Sequence, residues 1–142
     1  MEDLLVYSEK SKFPSKGYDD DAGIDLYIYE DITFQPLETK ELPIDTRIQI
    51  PKNYFGYIVP RSSYRRLGLI ALAVIDANYI GELRVVTTYV GKQPLTLKAG
   101  ERPVQLILLP VHYARLTSVK SIGEFKVDEN MRGNCGLGST GR

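Results

Sequence analysis

No stretch of this chain shows the apolar spacing of three and four residues that a long amphipathic helix requires. Short apolar and β-branched runs recur instead, cut apart by Pro, Gly and Asp clusters, and that pattern predicts an all-β protein. Strands are expected at Leu4–Tyr7, Ile24–Tyr29, Asp31–Gln35, Arg47–Ile50, Tyr54–Val59, Leu69–Ile75, Leu83–Val90, Leu95–Leu97 and Val104–Leu109, with Val111–Val119 as a further one. Turn chemistry falls between them at Gln35-Pro36, Leu42-Pro43, Pro51-Lys52-Asn53 and Lys98-Ala99-Gly100. So many short strands imply a sandwich, a jelly roll or a barrel. The segment from Val74 to Leu83 reads as strand, turn, strand, with Asn78 and Gly81 expected where the turn visits positive φ. One short helix is expected at Ser63–Leu67, capped by Ser62 or Ser63, its first-turn N–H groups suited to an anion.

A chain of 142 residues fits one domain. Lys plus Arg and Asp plus Glu both number 18, which gives no reason to expect nucleic acid or an anionic membrane as partner. No apolar run approaches the length that crosses a bilayer. A single cysteine excludes an internal disulfide and fits a reducing, cytoplasmic setting, with a nuclear or virion-associated one also open. One Cys and one His argue against a zinc site of the usual ligands. Neither Cys135 nor His112 is assigned a role.

The last stretch, Arg132–Arg142, reads RGNCGLGSTGR and has no apolar face to bury. Ordering a backbone residue costs roughly 1–2 kcal/mol, and glycine loses the most freedom. Free amides, two hydroxyls and Arg132 suit a polyanion such as a triphosphate, although most chain ends are simply loose. The stretch is not a P-loop, because no Lys follows its glycines.

Five segments carry a family resemblance: Asp21–Tyr27 (DAGIDLY), Pro60–Gly68 (PRSSYRRLG), Ala73–Glu82 (AVIDANYIGE), Gly100–Leu106 (GERPVQL) and Arg132–Gly141 (RGNCGLGSTG). In this order they resemble the five motifs of the trimeric dUTPases, and they span the chain from residue 21 almost to its end. The resemblance implies a β jelly roll or distorted β-barrel over residues 1–131, a Gly-rich arm at 132–142 that closes the active site, a homotrimer, and hydrolysis of dUTP to dUMP and pyrophosphate. By that resemblance Asp76 is the general base that activates water for attack on the α-phosphorus. Read from the residues alone, nucleating its turn is the commoner fate of an Asp before a hairpin. Tyr79 would pack under the deoxyribose, and backbone near Ala73 would read uracil. Arg61, Ser62, Ser63, Gln105, Arg132, Gly138, Ser139 and Thr140 would hold the substrate, and Leu137 would cover the base. Asp25 would act through water on a Mg2+ chelated by the triphosphate, with no direct protein ligand to the metal. Arg65 and Arg66 are read as solvated surface.

Departures from the family pattern are Leu137 for a usual Phe, Ser63 and Ala73 for frequent Gly, Asn78 and Glu101 for frequent Asp, and a short stretch from Pro60 to Asp76. Two alternatives stay open: a dCTP deaminase or its bifunctional relative, whose expected catalytic Glu falls at Val86, and a non-catalytic nucleotide- or protein-binding module. If the arm closes the site, deleting residues 132–142 abolishes dUTP turnover while the thermal unfolding midpoint stays unchanged. Preserved turnover in that truncation removes the arm from the mechanism.

Overall fold

The computed structural model describes residues 2–126 and 128–133. Leu137, Gly138, Ser139 and Thr140 therefore lie outside the described residues. The chain divides into two compact units, one ending at His112 and one beginning at Tyr113.

The first unit holds β1 (Leu5–Tyr7), β2 (Ile24–Leu26), β3 (Ile32–Phe34), β4 (Thr39–Glu41), β5 (Arg47–Gln49), β6 (Tyr54–Pro60), α1 (Ser62–Leu67), β7 (Leu69–Ala71), β8 (Ala73–Ile75), β9 (Val86–Tyr89), β10 (Leu95–Leu97) and β11 (Val104–Pro110). The central sheet runs β2-β11-β6-β8, a second runs β4-β9-β7, and β1 with β5 and β3 with β10 form two-stranded ribbons. Every pairing is antiparallel. Sheet neighbours are distant in sequence, as in a jelly roll, and the described strands form separate sheets, with no closed barrel detected among them.

Alternation along the strands sorts side chains to two faces. On β6, Gly56 and Ile58 turn inward, and on β11 Val104 and Leu106 do. They join Leu26, Ile28, Phe34, Leu69, Leu83, Val85 and Leu97 in one core. A methyl group on Gly56 would lie 2.8 Å from Leu106 Cδ1 and 3.0 Å from Ile50 Cδ1, so a side chain there would have to displace core methyl groups.

The structure departs from the sequence expectations in five places. The run Leu69–Ile75 is two strands: β7 pairs with β9 and β8 with β6, so the chain changes sheets at Leu72. The expected strand Leu83–Val90 begins only at Val86, because Leu83 and Leu42 take irregular backbone bonds, Leu83 N to Thr46 O and Leu42 N to Val85 O. A strand at Thr39–Glu41 was not anticipated, its TKE sequence carrying no apolar alternation. The helix starts at Ser62 with Arg61 as N-cap and no side-chain cap, rather than under a serine cap. Val111–Val119 forms no strand, since a strand exists only through a backbone partner. The second unit carries a short 3-10 turn at Ile122–Glu124 with a capping box between Ser121 and Glu124, and its described residues are all exposed.

A buried carboxylate pins the N-terminal segment to the core. Asp45 accepts the backbone N–H of Lys10 at 2.6 Å and of Ser11 at 2.9 Å, and its own amide donates to the Ser11 hydroxyl at 3.3 Å. Burial pushes the Asp45 pKa up, but the Ser11 and Lys10 amides and the Ser11 hydroxyl outweigh it and hold the carboxyl below its ordinary 3.8. A carboxylate with a depressed folded pKa stabilises the fold above its unfolded pKa and loses that contribution as pH falls through the folded value. Asp45→Asn is therefore expected to lower the melting temperature at pH 7, with the gap to the parent closing as pH drops below 3.8. A gap independent of pH would show that charge plays no part.

Candidate active site

Two groups of functional side chains sit at opposite ends of β6. The first surrounds its C-terminal end. Pro60 ends the strand and Arg61 begins the turn into α1, with Arg61 N–H donating to Pro103 O at 2.9 Å. Asp25, on β2, lies opposite Gln105 of β11 in the register. Its Oδ1 is 3.3 Å from Arg61 Nε and its Oδ2 3.0 Å from Arg102 Nη1. Asp25 is largely buried, so both pairs are partly shielded from water. Arg61 Nη1 also donates to the Arg102 carbonyl at 3.2 Å. The Gln105 amide donates to Pro60 O at 3.4 Å, and a methyl group on Gly23 would overlap that amide, which accounts for the glycine in DAGIDLY.

Tyr64, on α1, donates its hydroxyl to Glu101 Oε1 at 2.7 Å. Burial, followed by that carboxylate, pushes the Tyr64 pKa up to about 12, so it stays a neutral donor across the working range. Ser62 and Ser63 occupy the first turn of α1 and are exposed. Arg65 and Arg66 are exposed on the helix, in keeping with solvated surface.

The second group follows β8. Asp76 lines a recess of about 260 Å3 with Val74, Ile75, Tyr79 and Arg84. Asp76 is itself exposed, because the chain leaves the sheet after Ile75. Tyr79 N–H donates to Asp76 O at 3.1 Å and closes a tight turn. Positive φ among the described residues occurs at Leu37, Asn53, Gly68, Gly100 and Gly133, so neither Asn78 nor Gly81 uses it. Gly81 is required sterically instead: a methyl group there would meet Tyr79 Oη at 2.6 Å. The ring lies across the glycine, and its hydroxyl donates to Glu82 O at 2.6 Å. The two limbs are not a paired hairpin, since β8 ladders with β6 and Glu82 bridges Arg47. Ala73 pairs with Ile58 on β6.

The register separates the two groups. Ile75 lies opposite Gly56, so Asp76 continues beside Phe55. From residue 55 to residue 61 an extended strand covers roughly 20 Å at about 3.3 Å per residue. Within one chain the structure thus brings together Arg61, Asp25 and Gln105, and separately Asp76 and Tyr79. Arg132 is exposed in the second unit.

Sequence reasoning passed over Arg102, Tyr64 and Glu101, and also Arg84, which donates through Nε at 3.0 Å and Nη2 at 2.8 Å to one oxygen of Glu41. The GERPVQL and PRSSYRRLG segments held the signal for the first three, but only folding shows that they meet. As for a divalent ion, both Asp25 oxygens are engaged by guanidinium groups yet keep lone pairs for water. That donor set fits an ion held chiefly by phosphate and water, and does not offer an open carboxylate seat.

A jelly roll that offers guanidinium groups at one end of its central sheet and a carboxylate beside an aromatic ring at the other has the parts of a nucleotide phosphohydrolase. The chain belongs to the dUTPase family, whose model matches residues 9–141. A fowlpox virus deoxyuridine 5'-triphosphate nucleotidohydrolase is 32% identical over 145 residues, covering 99% of each chain. The Pol polyprotein of equine infectious anemia virus (strain Wyoming) is 39% identical over 141 residues, 99% of this chain, which spans 12% of the polyprotein's length. Among solved structures, a Staphylococcus bacteriophage 80alpha dUTPase with dUpNHpp superposes with a TM-score of 0.88 at 23% identity over the whole of both chains, a likeness of fold. A dUTPase of phage phi11 of S. aureus, described with a structural Mg(II) ion, has a TM-score of 0.79 at 21% identity over 85% of this chain and 99% of its own.

The Tyr79–Gly81 contact is open to test by urea unfolding. Tyr79→Phe removes one hydrogen bond and is expected to cost about 0.5–1.5 kcal/mol. Gly81→Ala forces the ring aside and is expected to cost more; an alanine variant as stable as the parent would contradict the close approach.

Proposed function

We propose that this chain is a dUTP diphosphatase, converting dUTP and water to dUMP and pyrophosphate in a site completed by other copies of itself. Family membership over residues 9–141 supports the reaction. The observation that carries the assembly is the separation of about 20 Å between Asp76 and Arg61 along β6. One triphosphate cannot touch both ends of that strand in a single chain. A second copy that docks its Asp76 turn against the Arg61 end of the first solves this, and a closed ring gives every copy the same contacts.

The exposed surface supports such docking. Ile70, Leu72 and Val74 are alternate residues along β7, the switch between sheets and β8, and they are 57%, 61% and 57% exposed. Val86 on β9 is 51% exposed. Exposed apolar side chains so close in sequence are candidates for cover by a second copy. A homotrimer with one arm per site, the arm supplying Arg132, Leu137, Gly138, Ser139 and Thr140, is the assembly proposed.

In the reaction Asp76 accepts a proton from water as the water oxygen bonds to the α-phosphorus. The bond from that phosphorus to the bridging oxygen breaks, and pyrophosphate leaves. Arg61, Ser62, Ser63 and Gln105 bind the phosphate oxygens, where guanidinium and amide donors offset the growing charge. Tyr79 lies under the deoxyribose, and its ring excludes a 2′-hydroxyl. Backbone at Ala73 hydrogen-bonds uracil, a polar discrimination stronger than a methylene-sized change allows. Asp25 would hold a Mg2+ ion through water, and that ion would supply charge to offset the triphosphate. Since Asp76 is exposed in the single chain, the partner copy and arm must exclude water before its charge acts at full strength.

Among the described residues no helix is long and apolar enough to cross a membrane. A cytoplasmic or virion-associated setting matches dUTP chemistry and the viral Pol relative.

Pyrophosphate release from dUTP with Mg2+ is expected to fall about 10²–10⁴-fold in Asp76→Asn, the usual worth of a general base. Equal rates in parent and variant would remove Asp76 from the reaction, and ammonia release from dCTP would overturn the choice of substrate.

A further inference from the structure

Asp25 is shared between two arginines in an unequal way. Its Oδ1 faces Arg61 Nε at 3.3 Å, whereas its Oδ2 is taken by Arg102 Nη1 at 3.0 Å. Arg61 Nη1 is turned the other way, onto the Arg102 carbonyl at 3.2 Å. Arg61 meets Asp25 through Nε and the Arg102 carbonyl through Nη1, and Nη2 takes part in neither contact. A guanidinium beside a free carboxylate prefers the two-point fork, with Nε on one oxygen and Nη2 on the other. Here the contact runs through Nε to Oδ1, while Oδ2 is drawn toward Arg102, which competes for that oxygen.

We propose that Arg102 is a positioning residue: by holding Asp25 Oδ2 it keeps the Nη2 edge of Arg61 uncommitted and turned to an incoming phosphate oxygen. The loop that carries Arg102 is tied to the helix that follows Arg61. Arg61 N–H donates to Pro103 O at 2.9 Å, and the Tyr64 hydroxyl donates to Glu101 Oε1 at 2.7 Å. Glu101 Oε2 in turn accepts the Lys98 backbone N–H. These bonds fix the carbonyl that orients Arg61 Nη1, so both faces of the guanidinium are set by residues 101–103. Asp25, Arg61 and Arg102 together carry one net positive charge. Removing Arg102 loses that charge and, more specifically, frees Oδ2 to pull Arg61 Nη2 onto Asp25.

The inference rests on the phosphate-binding role proposed above for Arg61, so the experiment separates the two. Arg61→Ala, Arg102→Ala, the double variant and Arg102→Lys are compared with the parent. The measurements are KM and kcat for Mg-dUTP, the Kd for inorganic tripolyphosphate, and the melting temperature. Each single alanine variant is expected to weaken tripolyphosphate binding and raise KM roughly tenfold or more, the worth of one hydrogen bond to a charged group. The double variant is expected to match Arg61→Ala, not to multiply the two losses, because Arg102 acts through Arg61. Arg102→Lys, which still places a cation on Oδ2, is expected to recover binding to within about threefold of the parent.

Losses that multiply, a lysine variant as weak as alanine, or an alanine variant equal to the parent would each overturn the proposal. Should Arg102→Ala fail to fold, Arg102→Gln replaces it in the same cycle. Coupled tripolyphosphate losses in a parent that leaves dUTP intact would sustain the positioning role and overturn the hydrolase assignment. Multiplying losses in a parent that does hydrolyse dUTP would overturn the positioning role alone.

Discussion

The antiparallel ladder between β6 and β11 carries the rest of the structure. It runs without a break from the Pro60–Val104 pair to the Tyr54–Pro110 pair. The rest of the central sheet is built on it: β2 pairs on the far edge of β11, and β8 on the far edge of β6. At residue 56 the ladder carries a glycine, and Leu106, Ile50 and Ile75 crowd the place of its missing side chain. Ile58, Val104 and Leu106 fill the interior along the same strands. Burial of such side chains stabilises by roughly 1.5–3 kcal/mol each, so this shared face dominates the fold's cohesion.

The same ladder dictates what a single chain can do chemically. Its end at Pro60 delivers Arg61 beside Asp25 and Gln105, because β11 and β2 are in register there. At its other end the pairing with β8 releases Asp76. A rigid extended strand cannot bend to bring those groups together, so chemistry requiring both must use a second copy. The exposed apolar residues Ile70, Leu72 and Val74 lie on β7, at the junction between sheets, and on β8. One register thus sets where each group of site residues stands.

Several site features became clear only through contacts between distant segments. Gly81 looked like a turn glycine, yet its backbone needs no positive φ, and the Tyr79 ring is what excludes a side chain. Gly23 has a comparable role toward the Gln105 amide. Glu101, where the family often has Asp, reaches Tyr64. Leu69–Ile75 reads as one β-branched strand because alternation does not report which sheet each half joins. The strand at Thr39–Glu41 has no apolar alternation, and only its pairing with β9 defines it.

By itself the sequence determined the class of fold, the rough position of most strands, the one short helix and the family. Those follow from local alternation, turn residues and ordered motifs, all of which are short-range properties of a chain. Tertiary structure alone decided that Asp25 is divided between Arg61 and Arg102 and that Asp76 stands at the opposite end of β6 from them. Those facts depend on strand register, which is set by long-range pairing and shifts every partner when it shifts by one residue.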